Sequence, residues 1–323
     1  MSEGHALPRA STPSSLHNIK ALTFDVFGTT VNWRSSVESA LTSALDAKIN
    51  SAGFAKLPAE LQARARHLQA GSAGDSIAVI AASASPSSLP TPDQLPDWPC
   101  AFAAAWRRSY GRFTRGFEPG ITPWKDIDTH HRESLERLLE ERKLASLFTD
   151  DEVLELSRAW HRLEPWPDSP RGLSQLASRG LVTAALSNGN QALLQDLNTY
   201  RDGLGFDRLF SAEDFGAYKP NPRTYLGAVE GLGLRPDEVA MVAAHLGDLK
   251  GAKACGLRTV YIERVGEEEW IRSEDRYEDA RRWVDVWIPL GDDQQGGFVE
   301  LDQQLQRRHE ENRTIEAQNH GDR

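Results

Sequence analysis

From about residue 181 onward, short apolar runs of strand length alternate with helix-length segments, and this alternation narrows the possible fold more than any other feature. Strands are expected at 181–186, near Leu209-Phe210, at 239–244 and at 259–262. Helices are expected from about Asn190, at 222–232 and at 249–255, where Gly256 ends the last. Upstream, the largely apolar run from Ile19 to Phe27, closed by Gly28, reads as a strand buried on both faces, as strands of parallel sheets are. Together these elements predict an α/β chain with a doubly wound parallel sheet.

Between the first strand and the rest of the sheet the periodicity becomes helical. Val37, Leu41 and Leu45 are spaced by four, and Leu135, Leu138 and Leu139 share one helix face. The expected organisation is a disordered arm over 1–17, an α/β core from 18–33 and 165–293, a helical insertion over 34–164 and a polar tail over 294–323 that frays from Asp302. Within the helical part, 71–99 is rich in Ser, Ala and Pro and reads as a long surface insertion. Trp124, Trp160 and Trp166 lie among apolar positions and are assigned to the core.

Composition excludes several classes of function. A net charge of -10 argues against nucleic acid, whose sequence-independent binding needs clustered Lys and Arg. No apolar run approaches the roughly 20 residues that span a bilayer, so no membrane segment is expected. The N-terminal stretch has no apolar h-region and carries Glu3, which points to a cytoplasmic protein. Two cysteines, Cys100 and Cys255, without metal-ligand spacing suit a reducing compartment. His130, His131 and His161 lack the carboxylate and spacing of a zinc site, so neither a metal nor another cofactor is expected. A small-molecule substrate is the remaining partner.

In an open parallel sheet, ligands bind beyond the carboxyl ends of the strands. Four segments place polar residues there: Asp25-Val26-Phe27-Gly28-Thr29, Ser187-Asn188-Gly189-Asn190, Lys219-Pro220-Asn221-Pro222 and His245-Leu246-Gly247-Asp248. Taken singly, each has an ordinary structural explanation. Asp before Gly is a turn former, Ser187 or Asn188 can cap a helix, Lys219 can be a loop residue, and Asp248 can favour the positive end of its own helix. Their occurrence together, in this order, each at the exit of an expected strand, is what argues for a site.

This ordered set resembles the haloacid dehalogenase superfamily over roughly residues 19–264, with the helical insertion where that superfamily carries a cap. Phosphatases of the superfamily have Asp-x-Asp in the first motif, whereas Phe27 stands in the second place here, and Ala243 stands where a magnesium-binding acid is typical. The pattern is more similar to the metal-independent L-2-haloacid dehalogenases. Their Asp-x-Tyr-Gly-Thr is matched by Asp25 to Thr29, their Ser-Asn-Gly by Ser187-Asn188-Gly189, and their Lys-Pro-x-x-x-x-Tyr by Lys219-Pro220 with Tyr225. Trp106-Arg107 is similar to the family's cap Trp-Arg pair, and Asp248 matches the terminal Asp of the last motif. That motif departs at Ala243, His245 and Gly247, which stand where the family pattern has Ser, Asn and Trp.

The resemblance implies a hydrolase in which Asp25 attacks C2 of a small 2-haloacid and the resulting ester is hydrolysed. Lys219 would keep Asp25 ionised, and Asp248 would orient Lys219 or activate the water. Ser187 would bind the substrate carboxylate, Arg107 the halide or the carboxylate, and Thr29, Asn188, Tyr225 and His245 would complete the substrate-binding set. His245 can replace the asparagine as a hydrogen-bonding group or serve as a structural histidine. Two alternatives stay open at this point: a magnesium-dependent phosphatase with an atypical motif, and a non-catalytic small-molecule binder on the same fold. Family members are often homodimers, and the helical insertion offers surface for that arrangement.

Overall fold

The computed structural model describes residues 16–71, 98–201, 203–291 and 295–321. Six strands form one sheet: β1 (Ala21–Phe24), β2 (Val182–Ser187), β3 (Arg208–Ser211), β4 (Val239–Ala243), β5 (Arg258–Ile262) and β6 (Val286–Ile288). Their order is β3-β2-β1-β4-β5-β6, and every neighbouring pair is parallel. Each residue of β1 and β4 is buried, which is why these segments read as continuous apolar runs without alternation. The chain winds outward from β1 to β3, returns to the other side of β1 and winds outward again to β6. The reversal between β1 and β4 opens a crevice at their carboxyl ends, where ligands of such sheets bind.

Among the described residues, six α-helices lie between β1 and β2 in the chain, and the first five are α1 (Trp33–Ile49), α2 (Ala59–Gly71), α3 (Trp98–Arg115), α4 (Ile127–Glu141) and α5 (Asp150–Ser157). They pack on one another through the four-spaced residues of α1, through Phe102 and Trp106 of α3, and through Leu135, Leu138 and Leu139 of α4. Side-chain caps fix where they start. Asn32 accepts from Ser35 N, Asp126 from Thr129 N, and Thr149 with Glu152 caps α5 reciprocally. The remaining helices are α6 (Ser169–Ser178), α7 (Gln191–Thr199), α8 (Ala212–Phe215), α9 (Pro222–Leu232), α10 (Leu246–Ala254), α11 (Asp275–Trp283) and α12 (Gly297–Gly321). Among the described residues, no helix is long and apolar enough to cross a membrane.

Several expectations fail. The stretch read as a frayed polar tail is α12, and its first turns are docked on α6: Phe298, Val299 and Leu301 are buried, and Phe298 meets Phe24 edge-on at 4.9 Å. The approach is so close that a Cβ on Gly172 would lie 2.4 Å from that of Phe298. The polar composition misled because a few apolar residues in the first two turns suffice to anchor a helix, and Asp302 is itself buried against Arg179. Trp98 and Pro99, assigned to the surface insertion, open α3, where Pro is tolerated in the first turn. Residues 72–97 of that insertion and 1–15 of the arm lie outside the described residues, while Leu16–Asn18 forms a single 3-10 turn. β6 and α11 were not anticipated. Trp124 is 39% exposed and Trp166 is partly exposed in a loop, so of the three tryptophans assigned to the core only Trp160 is fully buried there.

Candidate active site

Asp25 follows the last residue of β1, and its backbone N–H is still held by Val242 O of β4 at 2.9 Å. The chain then turns sharply. Thr30 N and Val31 N both donate to Val26 O, and Thr30 Oγ1 donates to Asp25 O at 2.7 Å. Gly28 sits in this turn at φ +87°, and a Cβ there would come within 1.9 Å of Glu267 Oε2. Both the conformation and the contact therefore demand glycine.

The carboxylate of Asp25 is engaged unevenly. Lys219 Nζ donates to Oδ1 at 2.9 Å, while Oδ2 accepts from Thr29 Oγ1 at 2.8 Å and lies 3.0 Å from His245 Nδ1. Two donors use both lone pairs of Oδ2, which leaves Oδ1 with one free. Thr29 is aimed by Ala244 N, which donates to its hydroxyl at 2.9 Å. Lys219 also donates to Asp248 Oδ2 at 2.6 Å, and Tyr225 donates to Asp248 Oδ1 at 2.6 Å. Asn188 Oδ1 accepts the backbone N–H of Lys219 at 2.7 Å, which fixes where the lysine leaves its loop. Thr29 after β1, His245 after β4 and Lys219 from the loop after residue 215 thus meet on one carboxylate, and Asn188 after β2 holds the lysine.

Burial alone would raise the pKa of Asp25, but the Lys219 charge and the His245 hydrogen bond override it and hold the group well below the ordinary carboxylate range. Lys219 shows the same contest: desolvation favours the neutral amine, and Asp248 and Asp25 raise its pKa above the usual lysine value. Asp248 is raised, by desolvation first and by proximity to Asp25, against the pull of Lys219. A buried ammonium between two carboxylates is a stable arrangement only as a unit, because loss of one member leaves an uncompensated charge.

His245 is the N-cap residue of α10 and carries a second carboxylate contact, Nε2 to Glu267 Oε2 at 3.4 Å. Trp33 Nε1 donates to the same Oε2 at 3.0 Å. Burial would lower the pKa of His245, yet the hydrogen bonds to Asp25 and Glu267 push it up to about 10, so the ring is an imidazolium at neutral pH. Glu267 is held below its ordinary value, against desolvation, chiefly by His245. This glutamate was missed in the sequence, although Gly266-Glu267-Glu268-Glu269 begins four residues after the strand expected at 259–262 and so lies near the carboxyl end of the sheet.

A cavity of about 560 Å³ opens above these groups. Asp25, Lys219, Asp248, His245 and Asn188 line its floor, and Trp33, Arg107 and Tyr110 line it from the helical side. The Arg107 guanidinium lies 4.6 Å from the ring centre of Tyr110 and 5.5 Å from that of Trp33, and its Nη1 is buried with no partner among the described residues. Three expected substrate contacts are placed elsewhere. Thr29, Ser187 and Tyr225 are fully buried and line no part of the cavity. Thr29 and Tyr225 act beneath it, on Asp25 and Asp248, while the Ser187 hydroxyl is taken by Gly189 N at 3.1 Å. Side chains at strand ends alternate in direction, and position at an end does not say whether a group faces the crevice or the layer below. Trp106 is core, hydrogen-bonded to His131 O and Ser134, so only the arginine of the Trp-Arg pair reaches the cavity. Among the described residues, no three His, Cys, Asp or Glu side chains are grouped to hold a metal ion.

Residues 19–256 match the haloacid dehalogenase-like hydrolase family. An (S)-2-haloacid dehalogenase of Burkholderia cepacia is 40% identical over 112 residues, 34% of this chain and 48% of that protein. One from Xanthobacter autotrophicus is 35% identical over 122 residues, 37% of this chain and 47% of that protein. The chain thus spans about half the length of these curated relatives in the matched stretch. The crystal structure of an L-2-haloacid dehalogenase, 31% identical with a TM-score of 0.61, is covered over 99% of its length by 89% of this chain. That of a defluorinating L-2-haloacid dehalogenase, 29% identical with a TM-score of 0.64, is covered over 95% by 89% of this chain. With the match running from β1 through α10 and the solved relative aligned almost end to end, the chain belongs to the haloacid dehalogenase-like hydrolases.

Proposed function

We propose that this hydrolase converts a small (S)-2-haloacid to the 2-hydroxyacid through an ester on Asp25. The observation that carries the reading is the asymmetry of the Asp25 carboxylate: both oxygens are held by donors that keep it ionised, and Oδ1 alone retains a lone pair beside the cavity. That oxygen attacks C2 from the side opposite the halogen, the carbon–halogen bond breaks with its electron pair on the halide, and the carbon inverts. The buried, unpartnered Nη1 of Arg107 receives the halide or the substrate carboxylate.

Water then adds to the ester carbonyl. Charge develops on Oδ2, where the Thr29 hydroxyl and the His245 N–H already point, so no reorganisation is needed. Asp248, the remaining carboxylate on Lys219, accepts a proton from the water; the collapse then breaks the bond between Asp25 Cγ and Oδ1, Oδ1 leaves as the hydroxyl of the 2-hydroxyacid with that proton returned from Asp248, and Asp25 keeps the water oxygen in its place. Glu267 and Trp33 hold His245 in the orientation that donates. Relatives named (S)-2-haloacid dehalogenases support the substrate class.

The fold family also includes magnesium-dependent phosphatases, and the residues here do not fit that ion. Phe27 is buried edge-on against Tyr110 and Trp160 at the place of their general acid, and Ala243 is apolar and buried. The test is to supply each enantiomer of 2-chloropropionate, with and without chelator, and to measure chloride beside phosphate release from an aryl phosphate. Chelator-resistant chloride from the (S) acid, giving (R)-lactate, is expected. Background chloride with magnesium-dependent phosphate overturns the reading.

A further inference from the structure

The cavity is larger than a three-carbon haloacid requires. Its volume of about 560 Å³ falls in the ~300–1,000 Å³ range of pockets that enclose much bigger ligands. Gly247 lies on the wall beside the catalytic floor, and a Cβ built there meets nothing within 4 Å, so space extends outward from Asp25 along this side.

The charges on the walls do not balance. Glu269 is paired with Arg115 at 3.4 Å, Arg276 with Glu274 at 2.5 Å, and Glu268 accepts from Leu246 N and Trp270 N. Glu267, Asp25 and Asp248 are engaged by His245 and Lys219. Three cavity-lining cations, Arg34, Arg107 and Arg108, have no carboxylate at ion-pair distance among the described residues. Arg107 is the inner one, stacked near Phe27 and Tyr110, and is assigned above to the reacting end of the substrate. Arg34 lies over the Trp33 ring at 4.7 Å, and the basicity of exposed Arg108 is depressed by desolvation first and then by the charges of Arg112 and Arg34. Like charges crowded around a cavity without a counter-charge attract an anion into it.

We propose that Arg34 and Arg108 form a second anion subsite at the outer part of the catalytic cavity, selecting 2-haloacids that carry a further carboxylate on the chain, as 2-halopentanedioates do. The assignment rests on the dehalogenase reading for its reaction and on the wall charges for its selectivity, and the two can be tested apart. Titration calorimetry with halogen-free pentanedioate and pentanoate measures the subsite without any chemistry. The dianion is expected to bind roughly tenfold more tightly, the worth of one charge-assisted contact. In the Arg34→Gln, Arg108→Gln double variant that ratio should fall to about one. The exposed single variant Arg108→Gln should lower it in part, and thermal melting checks that both are folded. Chloride release from 2-chloropentanedioate and 2-chloropentanoate should show the same ratio in kcat/KM. Equal binding of the two acids, no binding of either, or a preference that survives the double variant overturns the subsite. Chloride from both acids at equal rates overturns it while leaving the dehalogenase reading intact. Selective binding without chloride from any 2-chloroacid overturns the dehalogenase reading and leaves the subsite standing.

Discussion

Two histidines, one on the floor of the site and one inside the helical layer, show how differently the halves of this molecule use the same side chain. His245 faces two carboxylates, Asp25 and Glu267, and is a cation. His131 on α4 is fully buried, stacked on Trp160 at 4.4 Å, and neither ring nitrogen has a partner among the described residues. Burial and neighbouring cations hold its pKa well below the usual value, so it is neutral. The α/β half buries charge and compensates it; the helical half buries an imidazole as a flat packing unit. Partners, and not burial, decide which becomes a chemical group.

The strongest way to break this contrast is to remove the anion at its centre. Asp25→Asn is expected to abolish chloride release from (S)-2-chloropropionate, a loss of three orders of magnitude or more as for other covalent nucleophiles, measured in single-turnover assays. Next in size, Lys219→Ala leaves Asp25 and Asp248 buried without their shared cation, which should destabilise the fold by ~3–5 kcal/mol in urea unfolding. Removal of an unpartnered group should have little effect. His131→Phe is expected to keep activity and to change stability by no more than ~1 kcal/mol in either direction; a loss comparable with Lys219→Ala would show that the imidazole has a polar role.

The pH profile sharpens the comparison further. His245 is protonated up to about pH 10, so kcat/KM should fall on the alkaline side as the ring loses its charge and one of the two N–H groups that reach Asp25 and Glu267. Asp25, Glu267 and, at longer range, Glu268 are the anions that face it. Glu267→Gln removes one of them, which lowers the histidine pKa and moves the alkaline limb toward neutrality; an unmoved limb would assign it to another group. The smallest effect concerns His161, which joins Asp128 of α4 at 2.9 Å to Asp196 of α7 at 2.7 Å. Its pKa is raised against desolvation by these carboxylates, so the stabilisation is complete below about 6.5 and is lost as pH rises through the raised value. His161→Asn should flatten that part of the profile of melting temperature against pH.

Much of the site was legible before any coordinates. Asp25, Asn188, His245 and Asp248 reach the cavity because strand-end position is written locally, in short apolar runs followed by Gly, Asn or Pro, while Lys219 reaches it from the loop after α8 and Arg107 from α3. Thr29, Ser187 and Tyr225 were placed in the right neighbourhood and on the wrong side of it. Glu267 was missed: its place five residues past β5 puts it near the crevice, but nothing local shows that a turn 239 residues earlier needs a bare Gly28 to make room for it.

By itself, the sequence determined the parallel doubly wound sheet, the helical layer inserted after its first strand and the residues that follow β1, β2 and β4. Those depend on interactions between near neighbours: periodicity, caps and glycine turns. The tertiary structure alone decided that His245 is a cation, that α12 docks through Phe298 and that Arg34 and Arg108 face the cavity with no carboxylate at ion-pair distance among the described residues. Charge state and exposure depend on groups brought together from distant parts of the chain, and no local pattern encodes such distances.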